Sequence, residues 1–366
     1  ITALSRIGWF FVIARNSSFS YAEKFPDVTQ VGRDLGVRYV LEGSVRRSAG
    51  RVRISAQLID ATAGTYIWGE RFESEVSDIF ELQDQVTSRV VGSIAPQLER
   101  AEIERARLKP TDSLDAYDYY LRGMARFHHG SRDAINEAIP LFCKAIDLDP
   151  AFASAYGIAA WCYFWRKING WSTGGAAERL EAARLAGRAI ELGRNDAVAL
   201  ARGGHALGHF GGDLETCIAL LDRARELNAN LSVAWYLSGF QRITRGNPDD
   251  AIEYFARAIR LSPLDPELLR MQVGMALAHL IAGRFDEASM WAERAFQKLS
   301  GFLLAVGVIA ASHALAGRAE DAGRAVAHLK NLDPALRISN LKSWVMLDPN
   351  GLEIFAKGLR MAGLPE

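Results

Sequence analysis

The sequence has no net charge, since 43 basic residues balance 43 acidic ones over 366 positions. A balanced chain makes no long-range field, which argues against charge-driven attraction to nucleic acid or to an anionic membrane. Cysteine is scarce: Cys143, Cys162 and Cys217 are the three present, and none stands in Cys-x-x-Cys spacing. That pattern predicts free, mostly buried thiols on helices. Long hydrophobic runs are also missing. The most apolar one, Phe302 to Ala316, is too short to span a bilayer comfortably and contains His313. No secretory signal opens the sequence. The glycine pairs Gly203-Gly204, Gly211-Gly212 and Gly174-Gly175 lack the Lys-Ser/Thr of a phosphate-binding loop. There is no Gly-x-Ser-x-Gly elbow and no set of spaced metal-binding aspartates. No catalytic residue, cofactor site or metal site is therefore assigned, and the chain is expected not to be an enzyme.

What is present is repetition. A small residue opens the second helix of each predicted helix-turn-helix unit at Ala138, Ala182, Cys217, Ala251, Ala288 and Ala322. The last four are spaced by 34, 37 and 34 residues. A two-helix unit of that period resembles a tetratricopeptide (TPR) repeat, whose units bury their apolar faces by stacking on one another. Ser232 to Asp265 matches best, with Trp235, Gly239, Ala251, Phe255, Ala258 and Pro263 at the motif positions; Ser238 and Arg242 depart from it. Gly246-Asn247-Pro248-Asp249 supplies a C-cap glycine, a turn proline and a capping acid. Pro150 and Pro334 end units, and Gly130, Gly212, Gly283 and Gly317 precede second helices. The loop 168–175 stretches the second unit to 44 residues between alignment points. Residues Ala335 to Glu366 are expected to cap the array, with Trp344, Val345 and Leu347 over the last unit and Leu352, Phe355 and Leu359 as a helical stripe.

The region before the repeats reads differently. Trp9-Phe-Phe-Val-Ile-Ala14 suits a buried strand, and Val28 to Leu35 a helix capped by Asp27 and closed by Gly36. Arg38 to Arg46 and Arg51 to Asp60 predict a hairpin around Ser48-Ala49-Gly50. A turn at Ala61-Thr62-Ala63-Gly64 leads to a third strand from Tyr66. A long helix from about Asp78 to Leu108 carries Leu82, Val86, Val90, Ile94 and Leu98 at four-residue spacing. Asp78 and Glu81 have capping-box spacing, Pro96 is expected to kink the helix, and Lys109-Pro110-Thr111 to break it.

The fold expected is thus an α+β amino-terminal domain, truncated, followed by an all-α TPR solenoid. The boundaries are 1–76 for the α+β domain, 77–110 for the connecting helix, 111–334 for about six repeats and 335–366 for the cap. The segments Val12 to Phe19, Gly36 to Val45, Arg51 to Asp60 and Trp68-Gly-Glu-Arg-Phe72 resemble a TolB amino-terminal-like domain. In that family the domain commonly precedes TPR repeats in bacterial regulators. The resemblance implies an upstream output domain, either a class III adenylate/guanylate cyclase or a winged-helix transcription activator. Gly358 to Glu366 resembles the carboxyl end of the cyclase-linked group. The sequence opens at Ile1 in what reads as the tail of a helix, so a longer parent protein is expected; a processed amino terminus is the alternative. The resemblance further implies an inner-membrane-associated bacterial parent, its side of the membrane left open.

A partner is expected on the concave face, which the first helices line in such arrays. Tyr156, Tyr163 and Trp165 in the second unit, Arg202 and His209 in the third, Tyr236 and Phe240 in the fourth and Arg270 in the fifth are the candidates. Trp171 in the long loop joins them. Aromatics beside arginines suit a protein or peptide partner, although aromatics at helical spacing equally suit a core. His205 and His209 stand one helical turn apart but lack a third metal ligand, so helix-packing or groove-lining histidines are expected there. His128-His129 at a helix C-terminus has a sufficient electrostatic reason. Arg46, Arg47, Arg51 and Arg53 around one hairpin suit phosphate contact or, as well, protection of a strand edge. Neither nucleic-acid binding nor membrane insertion is assigned to this region.

Overall fold

The computed structural model describes residues 3–6, 12–13, 17–18, 21, 27–48, 51–75, 79–108, 114–172 and 174–366. Contacts divide the chain into two compact units. One comprises Ile1–Arg105 with Leu261–Leu264, and the other Ala106–Arg260 with Asp265–Glu366.

In the first unit Asp27 starts α1 (Val28–Leu35) by accepting the Thr29 backbone N–H at 3.0 Å. Gly36 ends it in the left-handed region at φ 64°, where a side chain would be strained. Runs of β-branched and aromatic residues then form β1 (Tyr39–Ser48), β2 (Arg51–Asp60) and β3 (Thr65–Glu75). They pair as an antiparallel meander in sequence order, with an irregularity between Leu58 and Ile59. Asp60 shapes the second turn by accepting the Thr62 N–H at 2.8 Å. The helix α2 (Ile79–Leu108) places Val90, Ile94 and Leu98 on one stripe. They form a core with Ala56, Leu58 and Phe72 of the sheet. Arg46 stands opposite Arg53 in the ladder, and Arg53 Nε reaches Glu73 Oε1 at 2.6 Å on the other side. Glu73 thus relieves a like-charge pair that would otherwise destabilise the hairpin. Most of the strand expected over Trp9 to Ala14, the cap at Asp78, the turn at Ala49-Gly50 and the break at Lys109-Pro110-Thr111 lie outside the described residues.

The second unit is six successive helix pairs in a TPR-like array. They are α3 (Ala116–His129) with α4 (Arg132–Leu148), α5 (Ala153–Ile168) with α6 (Gly175–Leu192), and α7 (Ala197–Phe210) with α8 (Leu214–Leu227). Then come α9 (Ser232–Thr244) with α10 (Pro248–Leu261), α11 (Leu268–Ile281) with α12 (Phe285–Lys298), and α13 (Leu303–Leu315) with α14 (Ala319–Leu332). Short polar side chains cap the starts: Asp115, Ser131, Asp196 and Asp213 each accept backbone N–H groups of their own first turns. Positive φ at Gly246, Gly283 and Gly317 reverses the chain within pairs; in the third pair Gly211 has the positive φ, and Gly212 follows it before the second helix.

The aligned small residues Ala138, Ala182, Cys217, Ala251, Ala288 and Ala322 are all buried, because each sits where a second helix crosses its partner. A Cβ on Gly274 would lie 2.3 Å from the Phe255 ring, and one on Gly239 would lie 2.9 Å away, so Phe255 fills the space both glycines leave. The first helices α5, α11 and α13 are buried almost all round, which explains why the apolar run from Phe302 is a core helix. Beyond the pairs, α15 (Leu341–Trp344) and α16 (Pro349–Ala362) follow, and α16 packs on α13 with Phe355 and Leu359 fully buried. Trp344 and Val345 are buried too, whereas Leu347 and Leu352 are half-exposed. Among the described residues no helix is long and apolar enough to cross a membrane.

Candidate functional site

Within the array the first helices converge on a cavity of about 60 Å³. Trp161, Phe164, Trp165 and Ile168 line it from α5, His205 and His209 from α7, and Tyr236, Phe240 and Gln241 from α9. Spacings of three and four residues put each set on one helical stripe. Arg270 and Leu277 of α11 contribute, and Phe302, Leu304, Trp344, Val345 and Met346 complete the wall. Hydrogen bonds between distant parts of the chain fix this wall. Trp165 Nε1 donates to the Gly130 carbonyl at 2.9 Å, and Trp344 Nε1 donates to that of Ile168 at 2.7 Å. The Leu303 N–H reaches Asn169 Oδ1 at 3.3 Å, and the Thr244 hydroxyl reaches the Met346 carbonyl at 3.0 Å.

Arg270 and Tyr236 join the cavity wall to a buried ionic cluster. Glu267 accepts from Arg202 through Oε1, and from Arg270 Nη1 at 2.5 Å and the Tyr236 hydroxyl at 2.8 Å through Oε2. Arg202 Nη1 also donates to the Tyr236 oxygen at 2.7 Å. Arg202 is 3% exposed, Arg270 4% and Glu267 5%, so the cluster stands outside bulk water. Aromatic faces wrap the cations: the Arg270 guanidinium lies 4.3 Å from the ring centres of Phe127 and Trp165 and 4.7 Å from that of Trp161. The Arg202 guanidinium lies 4.8 Å from Trp161. Burial works against the charged form of Glu267, but the two guanidiniums outweigh it and hold its carboxyl at about 2. Burial, with Arg202 adding to it, pushes His205 down to about 3, and burial pushes His209 well below the ordinary value. Burial likewise takes His128 to about 4. Two cations therefore share one anion at neutral pH, with neutral imidazoles around them.

His205 and His209 pack on each other and on one aromatic ring. Their rings stand 4.9 Å apart, and Phe164 packs on both, at 4.8 and 4.4 Å. His205 Nδ1 meets Gln241 Nε2 at 3.2 Å. Among the described residues no group of three His, Cys, Asp or Glu side chains is placed to hold a metal.

Of the nine partner candidates, Trp165, Arg202, Tyr236 and Arg270 come together at this cluster and are buried. His209 and Phe240 are half-buried on the cavity wall. Tyr156 is buried away from the cavity, with the Arg188 guanidinium 5.9 Å over its ring. Tyr163 and Trp171 are half-exposed and stand apart from it. Glu267, Trp161, Phe164 and Gln241 are the residues the sequence did not single out. Glu267 follows Asp265-Pro266 at a helix start, where an acid reads as a cap; here its carboxylate makes no cap hydrogen bond and turns to the arginines instead.

No family model matches the chain. It is 39% identical over 191 residues to the protein named "Putative adenylate cyclase 3" of Rhizobium meliloti (strain 1021). That alignment takes 52% of this chain and 32% of the relative, so the chain spans about a third of the relative's length. Among solved structures, the APC/C hetero-tetramer Cut9-Hcn1 superposes with a TM-score of 0.51 at 14% identity, over 72% of this chain and 48% of that one. The IFIT1 monomeric mutant with Gppp-AAAA gives 0.52 at 13% identity, over 78% and 67%. Likeness at such identities concerns the fold alone: a helical-repeat protein of the TPR-like class.

Proposed function

We propose that the chain is a non-catalytic sensor and protein-interaction region of a bacterial signalling protein, regulating an adenylate or guanylate cyclase domain elsewhere in the same polypeptide. The observation that carries this reading is the 39% identity to a cyclase-named relative of which the chain spans only 32%. Most of that relative lies outside the alignment, which leaves room for a separate catalytic domain. The chemistry around the cavity supports the same view. A general base works best with its pKa near the operating pH, whereas Glu267 sits at about 2 and His205 at about 3. These groups build a core rather than move protons. The sheet-containing unit fits the TolB amino-terminal-like role of a domain set between output and repeats.

A protein or peptide partner fits the array, and the Cut9-Hcn1 likeness is to an array that works inside a protein assembly. We assign direct contact to Tyr163, Trp171, His209 and Phe240, the half-exposed members of the candidate set. Tyr156, Trp165, Arg202, Tyr236 and Arg270 hold the helices behind them. The test is cyclic-nucleotide production by the whole encoded polypeptide carrying Tyr163→Ala and Trp171→Ala together. A several-fold change in output or in its regulation supports the reading. Output and regulation untouched even by deletion of the whole region would remove it.

A further inference from the structure

We propose that the cavity among α5, α7, α9 and α11 is a ligand site for a short-chain monocarboxylate, an aliphatic acid of about four to six non-hydrogen atoms. This goes beyond the regulatory reading, since it holds whatever the output domain turns out to be. Three independent features point to that chemistry.

The first is size. At roughly 10–15 Å³ per water-sized group, the 60 Å³ cavity takes a molecule the size of acetate, propionate or butyrate. The second is charge. Arg202 and Arg270 both bond Glu267, and among the described residues lining the cavity none is acidic. A surplus guanidinium away from water is costly, and aromatic faces offset only part of that cost. One monoanion completes the balance, a dianion overshoots it, and a neutral molecule leaves it unmet.

The third is hydrogen bonding. Arg270 Nε and Trp161 Nε1 are buried donors without a partner. Both residues line the cavity and are at least nine-tenths buried. Buried polar groups are nearly always satisfied, so two such donors on residues of one cavity wall mark a place built to receive an acceptor. Two N–H donors match the two oxygens of a carboxylate. The remaining wall, Phe164, Leu237, Ile243 and Phe302, suits a short alkyl tail.

The experiment is a titration of propionate into the full 366-residue chain, followed by tryptophan fluorescence and calorimetry. Chloride at equal ionic strength controls for salt, and propionamide serves as the neutral isostere. The expected result is saturable one-site binding with a dissociation constant in the micromolar-to-millimolar range, as so small a ligand allows. Propionamide should bind at least about tenfold more weakly. Arg270→Met leaves Arg202 and Glu267 paired and should abolish the preference for propionate over propionamide. Phe240→Trp narrows the cavity, removes no hydrogen-bonding group of the cluster, and should weaken both ligands. Circular dichroism melts establish that each variant is folded. Propionate acting no differently from chloride, or binding unchanged by both substitutions, would overturn the proposal. Cyclase output is not read in this experiment, so a failure of the regulatory reading leaves its result unaltered.

Discussion

Glu267→Gln would leave Arg202 and Arg270 buried without a counter-charge. Removing one partner of a buried ion cluster costs on the order of 3–5 kcal/mol, and a chemical-denaturation curve should show that loss. A cost below about 1 kcal/mol would mean that water reaches the cluster. The histidines give a second, signed expectation. His205 and His128 titrate near 3 and 4 in the folded chain, against an ordinary value of 6.5. Below 6.5 the unfolded chain takes up protons that these folded sites refuse, so stability falls as pH drops toward those lower values. Glu267, depressed from 4.5 to about 2, adds a loss of the same sign below 4.5. The melting temperature should therefore decline steadily from neutral pH to about 4, and His205→Gln should flatten the decline. A melting temperature indifferent to pH across that window would contradict the neutral state of these rings. At this scale the sequence was only partly legible. Arg202, Tyr236 and Arg270 were visible as candidates, but their common partner is up to 65 residues away. A fixed spacing reveals which residues share a helix face; it does not reveal which charge from another helix meets them.

Helix pairs are where sequence and structure agree most closely. The six small residues that set the repeat phase are all buried, because close helix crossing demands a small side chain locally and repeatedly. The same demand makes Gly274→Ala a sharp test. A helical glycine replaced by alanine ordinarily gains stability, but here the methyl group would meet the Phe255 ring at 2.3 Å. Overpacking of that kind costs about 1–3 kcal/mol, so thermal melting should shift downward rather than upward. The carboxyl-terminal cap is the other element-level case. Its Phe355 and Leu359 are fully buried on a helix that packs against α13, and Trp344 bonds to the end of α5, 176 residues earlier in the chain. Truncation after Pro334 removes several buried large apolar side chains, Trp344, Phe355 and Leu359 among them, each stabilising by about 1.5–3 kcal/mol. The melt should broaden and fall, and an unchanged transition would rule out the capping role. The link from Trp344 to α5 had no local signal, since an indole in a cap looks the same whether it covers the last unit or reaches the second.

For the whole molecule, a TPR-like array whose inner face is filled by its own aromatic and ionic side chains is a device for holding helices in fixed relation. In the proposed regulatory role, a binding event would be passed on by a shift in the packing of many helices together. The identity to a cyclase-named relative, confined to 32% of that protein, supports placing the chemistry outside this chain. The most direct measurement compares cyclic-nucleotide production from ATP and GTP by the whole encoded polypeptide with that of residues 1–366 alone. The account predicts production by the whole polypeptide, none by this chain alone, and an altered rate when the chain is deleted. Turnover by residues 1–366 on their own, or a rate indifferent to their removal, would contradict it.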